Sequence, residues 1–134
     1  MNSKYLRTKR DASHVAIQTE LRKRGFSVVD LSSVGGGVCD LLVSSKYYTV
    51  LIELKEPNGS IYLEQLRFIA EWKGYVAFAQ TADECVAIMG DPNRQCLQIH
   101  QRARMGQIEA RYRAKTKDKI PRIGFGTFEK LMEN

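Results

Sequence analysis

The sequence predicts an α/β fold in which helices flank a mixed sheet. Three observations predict it. Segments of helical period alternate with short β-branched and aromatic runs, in the order helix, three strands, helix, strand, helix. Gly, Pro and Asn punctuate these segments at 25, 35–37, 57–59 and 90–93. A chain of 134 residues, 43% hydrophobic and 27% charged, matches one soluble domain with one core.

Each element follows from its residues. Asp11 is a candidate N-cap for a helix over 12–24, with Val15, Ala16, Ile17 and Leu21 on its apolar side and Gly25 as its stop. A strand is expected over 26–31, then a break at Ser32 to Gly37. Two further strands, 38–44 and 48–55, are joined near Lys46-Tyr47. Pro57-Asn58-Gly59 is a turn. A helix over 61–72 turns Leu66, Ile69 and Ala70 inward, and 75–80 reads as a fourth strand. Thr81-Ala82-Asp83-Glu84 has the pattern of a capping box and opens a short helix through Met89. Beyond Asn93 the pattern weakens to a strand over 95–99, a basic helix over 106–117 and a last helical turn over 127–132.

Composition excludes several classes. No apolar run approaches the ~20 residues of a membrane span, and no apolar stretch follows the basic start, so neither a membrane span nor a secretory leader is expected. The expected location is the cytoplasm. Cys39, Cys85 and Cys96 are odd in number and fit no C-x-x-C pair, which leaves buried or free thiols rather than disulfides or zinc. His14 and His100 have no partner at ligand spacing and are given no role. The net charge of +6 is uneven: residues 1–90 hold 11 Lys and Arg against 10 Asp and Glu, and residues 91–134 hold 10 against 5. A basic segment of this kind suits a polyanion, or else is a solvated face. Within a helix over 106–117, Arg111 with Lys115 and Arg113 with Lys117 form two basic rows that suit DNA phosphates.

The chemistry gathers on the two central strands. A hairpin centred between Lys46 and Tyr47 places Asp40 opposite Glu53, and opposite residues share a face. Lys55 joins them by period 2, while Ile52 and Leu54 alternate onto the other face. Two carboxylates and an ammonium at one sheet end suit a hard divalent cation such as Mg²⁺, and suit attack on a phosphodiester. The same pattern also fits an ordinary carboxylate–lysine ion pair across a hairpin. Gly35-Gly36-Gly37 lacks the G-K-[ST] of a phosphate loop. It lets the backbone reach the Asp40 strand, with Gly36 and Gly37 as candidate contacts to a DNA backbone, or is a plain flexible turn. Gln65 borders the inward face of its helix, placed either to bond an active-site group or to lie at the surface.

Val38-Cys39-Asp40 followed by Ile52-Glu53-Leu54-Lys55 resembles the PD-(D/E)XK nuclease signature. Arg10-Asp11-Ala12, the run from Gly25 to Leu31, Gly35 to Val43, Gly59 to Gln65, and Trp72-Lys73-Gly74 with Val76 widen the resemblance to small phage-type VRR-NUC nucleases. The resemblance implies a restriction-endonuclease-like fold for residues 1–90; residues 91–134 have no counterpart in the minimal nuclease domain and are expected to be a basic extension packed on the same domain for DNA binding or assembly. It implies Mg²⁺-dependent DNA cleavage, with Mn²⁺ able to substitute, in a bacterial cytoplasm. Asp40 and Glu53 match the metal-binding acids, the Leu54 carbonyl a further ligand, Lys55 the catalytic lysine, and Gln65 a supporting glutamine. The motif proline is Cys39 here. The usual first-helix acid falls at Ala16, and Glu20, one turn on, stands in for it as a metal ligand. The expected function is a DNA endonuclease, site-specific or structure-specific, acting as a homodimer. The alternatives are a Holliday-junction-type resolvase and a DNA-binding protein that retained the fold without catalysis.

Overall fold

The computed structural model describes residues 2–56, 58–117, 119 and 121–133, apart from the side chains of 2–12. Helix α1 (Asn2–Lys23) leads into strand β1 (Ser27–Asp30). Its residues from Asn2 onward include no Gly or Pro, so the helix runs through Asp11, which is not its N-cap. It stops at Gly25, whose φ of 94° is the left-handed conformation expected of a glycine stop. Strands β2 (Leu41–Ser44) and β3 (Thr49–Leu54) follow as a hairpin.

The hairpin register is the expected one. Leu41 pairs with Ile52, Val43 with Val50 and Ser44 with Thr49. The loop 45–48 closes through the Ser45 amide donating to the Tyr48 carbonyl at 2.8 Å. Strand β1 pairs antiparallel with β2, and β5 (Val76–Ala79) lies parallel to β3, giving a mixed sheet in the order β1-β2-β3-β5. The chain is thus α/β with a mixed sheet, as its pattern predicts.

Alternation then sorts the core into two layers. Leu41, Val43, Val50, Ile52, Leu54, Ala77 and Ala79 meet Leu21 of α1 and the Cys85, Ile88 and Met89 side of α3 (Ala82–Gly90). Leu51 and Val76 face the other way. They meet Leu66 and Ile69 of α2 (Leu63–Glu71), Met105 and Ile108 of α5 (Ile99–Lys115), and Phe125 and Phe128 of α6 (Phe125–Glu133).

Three further expectations change. Residues 60–62 do not open α2; they form β4 (Ser60–Tyr62), paired antiparallel with β6 (Arg122–Gly124). So short a strand, with a partner so far along the chain, leaves no local period to read. The strand expected over 95–99 is absent. Pro92 at the first position starts the short helix α4 (Pro92–Gln95), and Ile99, exposed, starts α5. Helix α5 thus begins well before the expected 106, and it ends at Lys115, so Lys117 lies beyond it. Beyond residue 90, α5 packs along α2, and β6 and α6 close against β4.

Candidate active site

The β2–β3 ladder ends at Leu41 and Ile52, and the next residue on each side is an acid. Asp40 and Glu53 are 5% and 4% exposed. Each carboxylate takes an amide from the opposite strand. The Asp40 N–H donates to Glu53 Oε1 at 3.1 Å, and the Leu54 N–H donates to Asp40 Oδ2 at 2.9 Å. The β1 side is locked too, by the Leu31 amide on the Asp40 carbonyl at 2.7 Å.

Gln65 comes from the first turn of α2. Its Nε2 donates to Glu53 Oε2 at 2.7 Å, and its Oε1 accepts the Tyr62 amide at 3.0 Å. One side chain therefore caps the helix and holds the acid. The loop carrying Asp40 approaches this same turn. Gly37 has φ 79°, and a β-carbon there would overlap the Glu64 carbonyl. Close passage of two backbones thus accounts for Gly37, whereas a β-carbon at Gly36 (φ 67°) would meet open space.

Burial, then the neighbouring Asp40 carboxylate, push Glu53 up to about 8, against the opposing effect of Gln65. The buried Cys39 thiol is pushed far up by burial, with Glu53 and Asp40 adding to it, so it stays protonated and is no nucleophile. Among the described residues the three cysteines are free and buried, and no cluster of three or more His, Cys, Asp and Glu is arranged for a metal ion. The donors at this sheet end are oxygens, which fit Mg²⁺ or Mn²⁺ and not a soft cation.

Lys55 follows on the same face, and its ammonium lies 3.8 Å from Glu129 Oε2 of α6. The sequence pattern gives no sign of Glu129, because only the β4–β6 closure brings α6 to this end. Glu20 is placed elsewhere. Its carboxylate accepts from Arg24 Nε at 3.2 Å, and Arg24 also holds Asp83. The buried polar groups of α1 are instead Gln18, bonded to Asp30 at 3.0 Å, and His14, whose Nε2 lies 3.8 Å from Glu56. Of the basic segment, Arg102 donates to the Trp72 and Gly74 carbonyls, Arg104 to Leu131, and Arg113 to the buried Glu109. Arg111, Lys115 and Lys117 are exposed.

Compared with family models, with curated proteins and with solved structures, the chain has no match. No helix among the described residues is long and apolar enough to cross a membrane.

Proposed function

We propose that the protein is a divalent-cation-dependent DNA endonuclease with a restriction-endonuclease-like core. The observation that carries this reading is the Asp40–Glu53 pair, buried side by side at a sheet end with Lys55 next to it. An ion pair across a hairpin accounts for one acid and one lysine, not for two buried acids whose bonds come from backbone amides and a glutamine. Asp40, Glu53 and the Leu54 carbonyl would hold Mg²⁺ or Mn²⁺. Such a cation supplies positive charge toward phosphate oxygens and lowers the pKa of water.

The chain's own residues do the rest. The two amide bonds and Gln65 hold the carboxylate oxygens in fixed orientation, so little reorganisation accompanies binding. Lys55 brings the ammonium that steadies charge on the phosphate and orients the attacking water. Arg111, Lys115 and Lys117 supply phosphate contacts without reading bases. Arg113, already paired with Glu109, adds less. A β-carbon at Gly36 would meet open space, and the bare backbone there would let a DNA backbone come close. Two copies related by a two-fold axis would cut both strands of a duplex.

The test is cleavage of supercoiled, linear, branched and single-stranded DNA with Mg²⁺, with Mn²⁺ and with EDTA. Cutting that needs the cation supports the reading, and preference for branched DNA marks a junction resolvase. Binding without cutting on every substrate refutes catalysis and leaves a DNA-binding protein that kept the site's shape.

A further inference from the structure

We propose that Glu129, on the last helix, is a positioning residue for Lys55; this rests on the nuclease reading above. A lysine side chain is long and flexible, and its ammonium is useful only when it is held where the reaction needs it. The Lys55 side chain is 27% exposed, and the carboxylate it meets at 3.8 Å is Glu129. An exposed ion pair alone means little. The difference here is how firmly the partner is held.

Helix α6 is tied down at Phe125, Phe128 and Leu131. At its start the Phe125 amide donates to the Gly59 carbonyl at 3.0 Å. Over its first turn, Phe125 and Phe128 are buried, with ring centroids 6.0 and 5.9 Å from Phe78. Phe78 is the register partner of Glu53 on β5, so the aromatic anchor sits beside the acid of the site. At its end, two guanidinium nitrogens of Arg104 donate to the Leu131 carbonyl, each at 3.2 Å. Glu129 directly follows Phe128, so its backbone is held in place while its side chain, 60% exposed, reaches to Lys55. The β4–β6 ladder that brings α6 here begins at Ser60, shortly after Lys55. The segment after residue 90 therefore completes the lysine's surroundings.

The pair sets the ammonium's position and restricts its rotamers before DNA arrives. Loss of the carboxylate frees the lysine without touching the acids or their amide bonds.

The experiment measures single-turnover cleavage at saturating DNA and Mg²⁺, together with DNA affinity in EDTA and thermal unfolding. For Glu129→Gln the expected result is a cleavage rate lowered about three- to tenfold, the scale of one partly exposed ion pair. Affinity should be unchanged or tighter, since a negative charge near phosphate is gone, and the unfolding midpoint should be that of the wild type. Glu129→Asp should recover part of the rate. In a Lys55→Ala background, Glu129→Gln should change nothing further. A wild-type rate in Glu129→Gln overturns the proposal. So does a higher rate, which would make Glu129 a mask over Lys55, and so does an equal loss in the Lys55→Ala background. A wild-type protein that cuts no DNA overturns the nuclease reading itself; cutting by the wild type with any of the preceding results overturns the role of Glu129 alone.

Discussion

Asp40→Asn should stabilise the cation-free protein at alkaline pH while removing its response to Mg²⁺. The Glu53 carboxyl is raised from its ordinary 4.5 to about 8, first by burial and then by Asp40. The native state then binds more protons than the unfolded chain between these values. Stability falls as pH climbs from about 4.5 to 8 and levels off above, the slope being set by the proton difference. At about 1.4 kcal/mol per pKa unit, the loss across that window is on the order of 4 kcal/mol. Asp40 contributes its charge and a side-chain hydrogen bond to this shift. An asparagine removes the charge, keeps an acceptor for the Leu54 amide and turns a donor toward Glu53. A gain of about 1–2 kcal/mol at pH 8 is expected, the share left once burial, the larger cause, is set aside. Urea unfolding in EDTA at about pH 5, 6.5 and 8, spanning that window, measures it. The two curves should converge near the acid end, where Glu53 is protonated in both variants. Mg²⁺ at a hundredfold over its dissociation constant should then stabilise the wild type by about 2.7 kcal/mol at pH 8 and leave Asp40→Asn unmoved. Parallel stabilities at every pH, or an equal Mg²⁺ effect on both proteins, would refute the reasoning.

The remaining expectations use the same surfaces. Asp40→Asn, Glu53→Gln and Lys55→Ala should each slow DNA cleavage by about a hundredfold or more, with DNA binding in EDTA retained; wild-type nicking by folded Lys55→Ala protein would remove the mechanism. Replacing Arg111, Arg113, Lys115 and Lys117 with Ala should weaken binding on all sequences alike and reduce the salt slope of log K by about 0.9 for each phosphate no longer neutralised. Arg113 should contribute least of the four when each is replaced singly, because Glu109 already holds it. Gly37→Ala should cost about 2 kcal/mol or more, a left-handed backbone plus an overlap with α2, whereas Gly36→Ala should cost less; equal thermal shifts in the two variants would show that the close approach is not what selects Gly37.

The hairpin was legible because two kinds of local information agree there. Ile52 and Leu54 alternate with Glu53 and Lys55, and the turn region fixes which residue faces which. Asp40 and Glu53 meet as their spacing implied, and Gln65 bonds Glu53 rather than lying at the surface. What the pattern missed are contacts made over long sequence separations. Strand β4 gains its form from the distant β6, and Glu129 reaches Lys55 only through that closure. The basic rows changed for a different reason. Charge counts do not say which arginines commit their donors to carbonyls and carboxylates of their own chain, and Arg102, Arg104 and Arg113 do. Glu20 shares a helix with the buried Gln18 and His14 but sits two positions round from Gln18, which turns it toward Arg24 and α3.

The acids lie where a fold can tolerate them. A carboxylate buried without donors of its own would cost several kcal/mol. Just past the β2–β3 ladder, which ends at Leu41 and Ile52, the amides of Asp40 and Leu54 have no carbonyl partner on the facing strand. Each must be satisfied, since a buried amide without an acceptor is itself costly. The two carboxylates answer that need crosswise, Glu53 for Asp40 and Asp40 for Leu54. Each acid is thus locked by a backbone group that needed an acceptor anyway, and an amide lock brings no full positive charge to the pair. In the proposed reading, the charge of the two acids is what a cation would meet. An arginine placed there to stabilise the fold would fill the site. If the pair takes up a cation as proposed, its instability at alkaline pH and its cation affinity have one origin, and a substitution that cures the first should abolish the second.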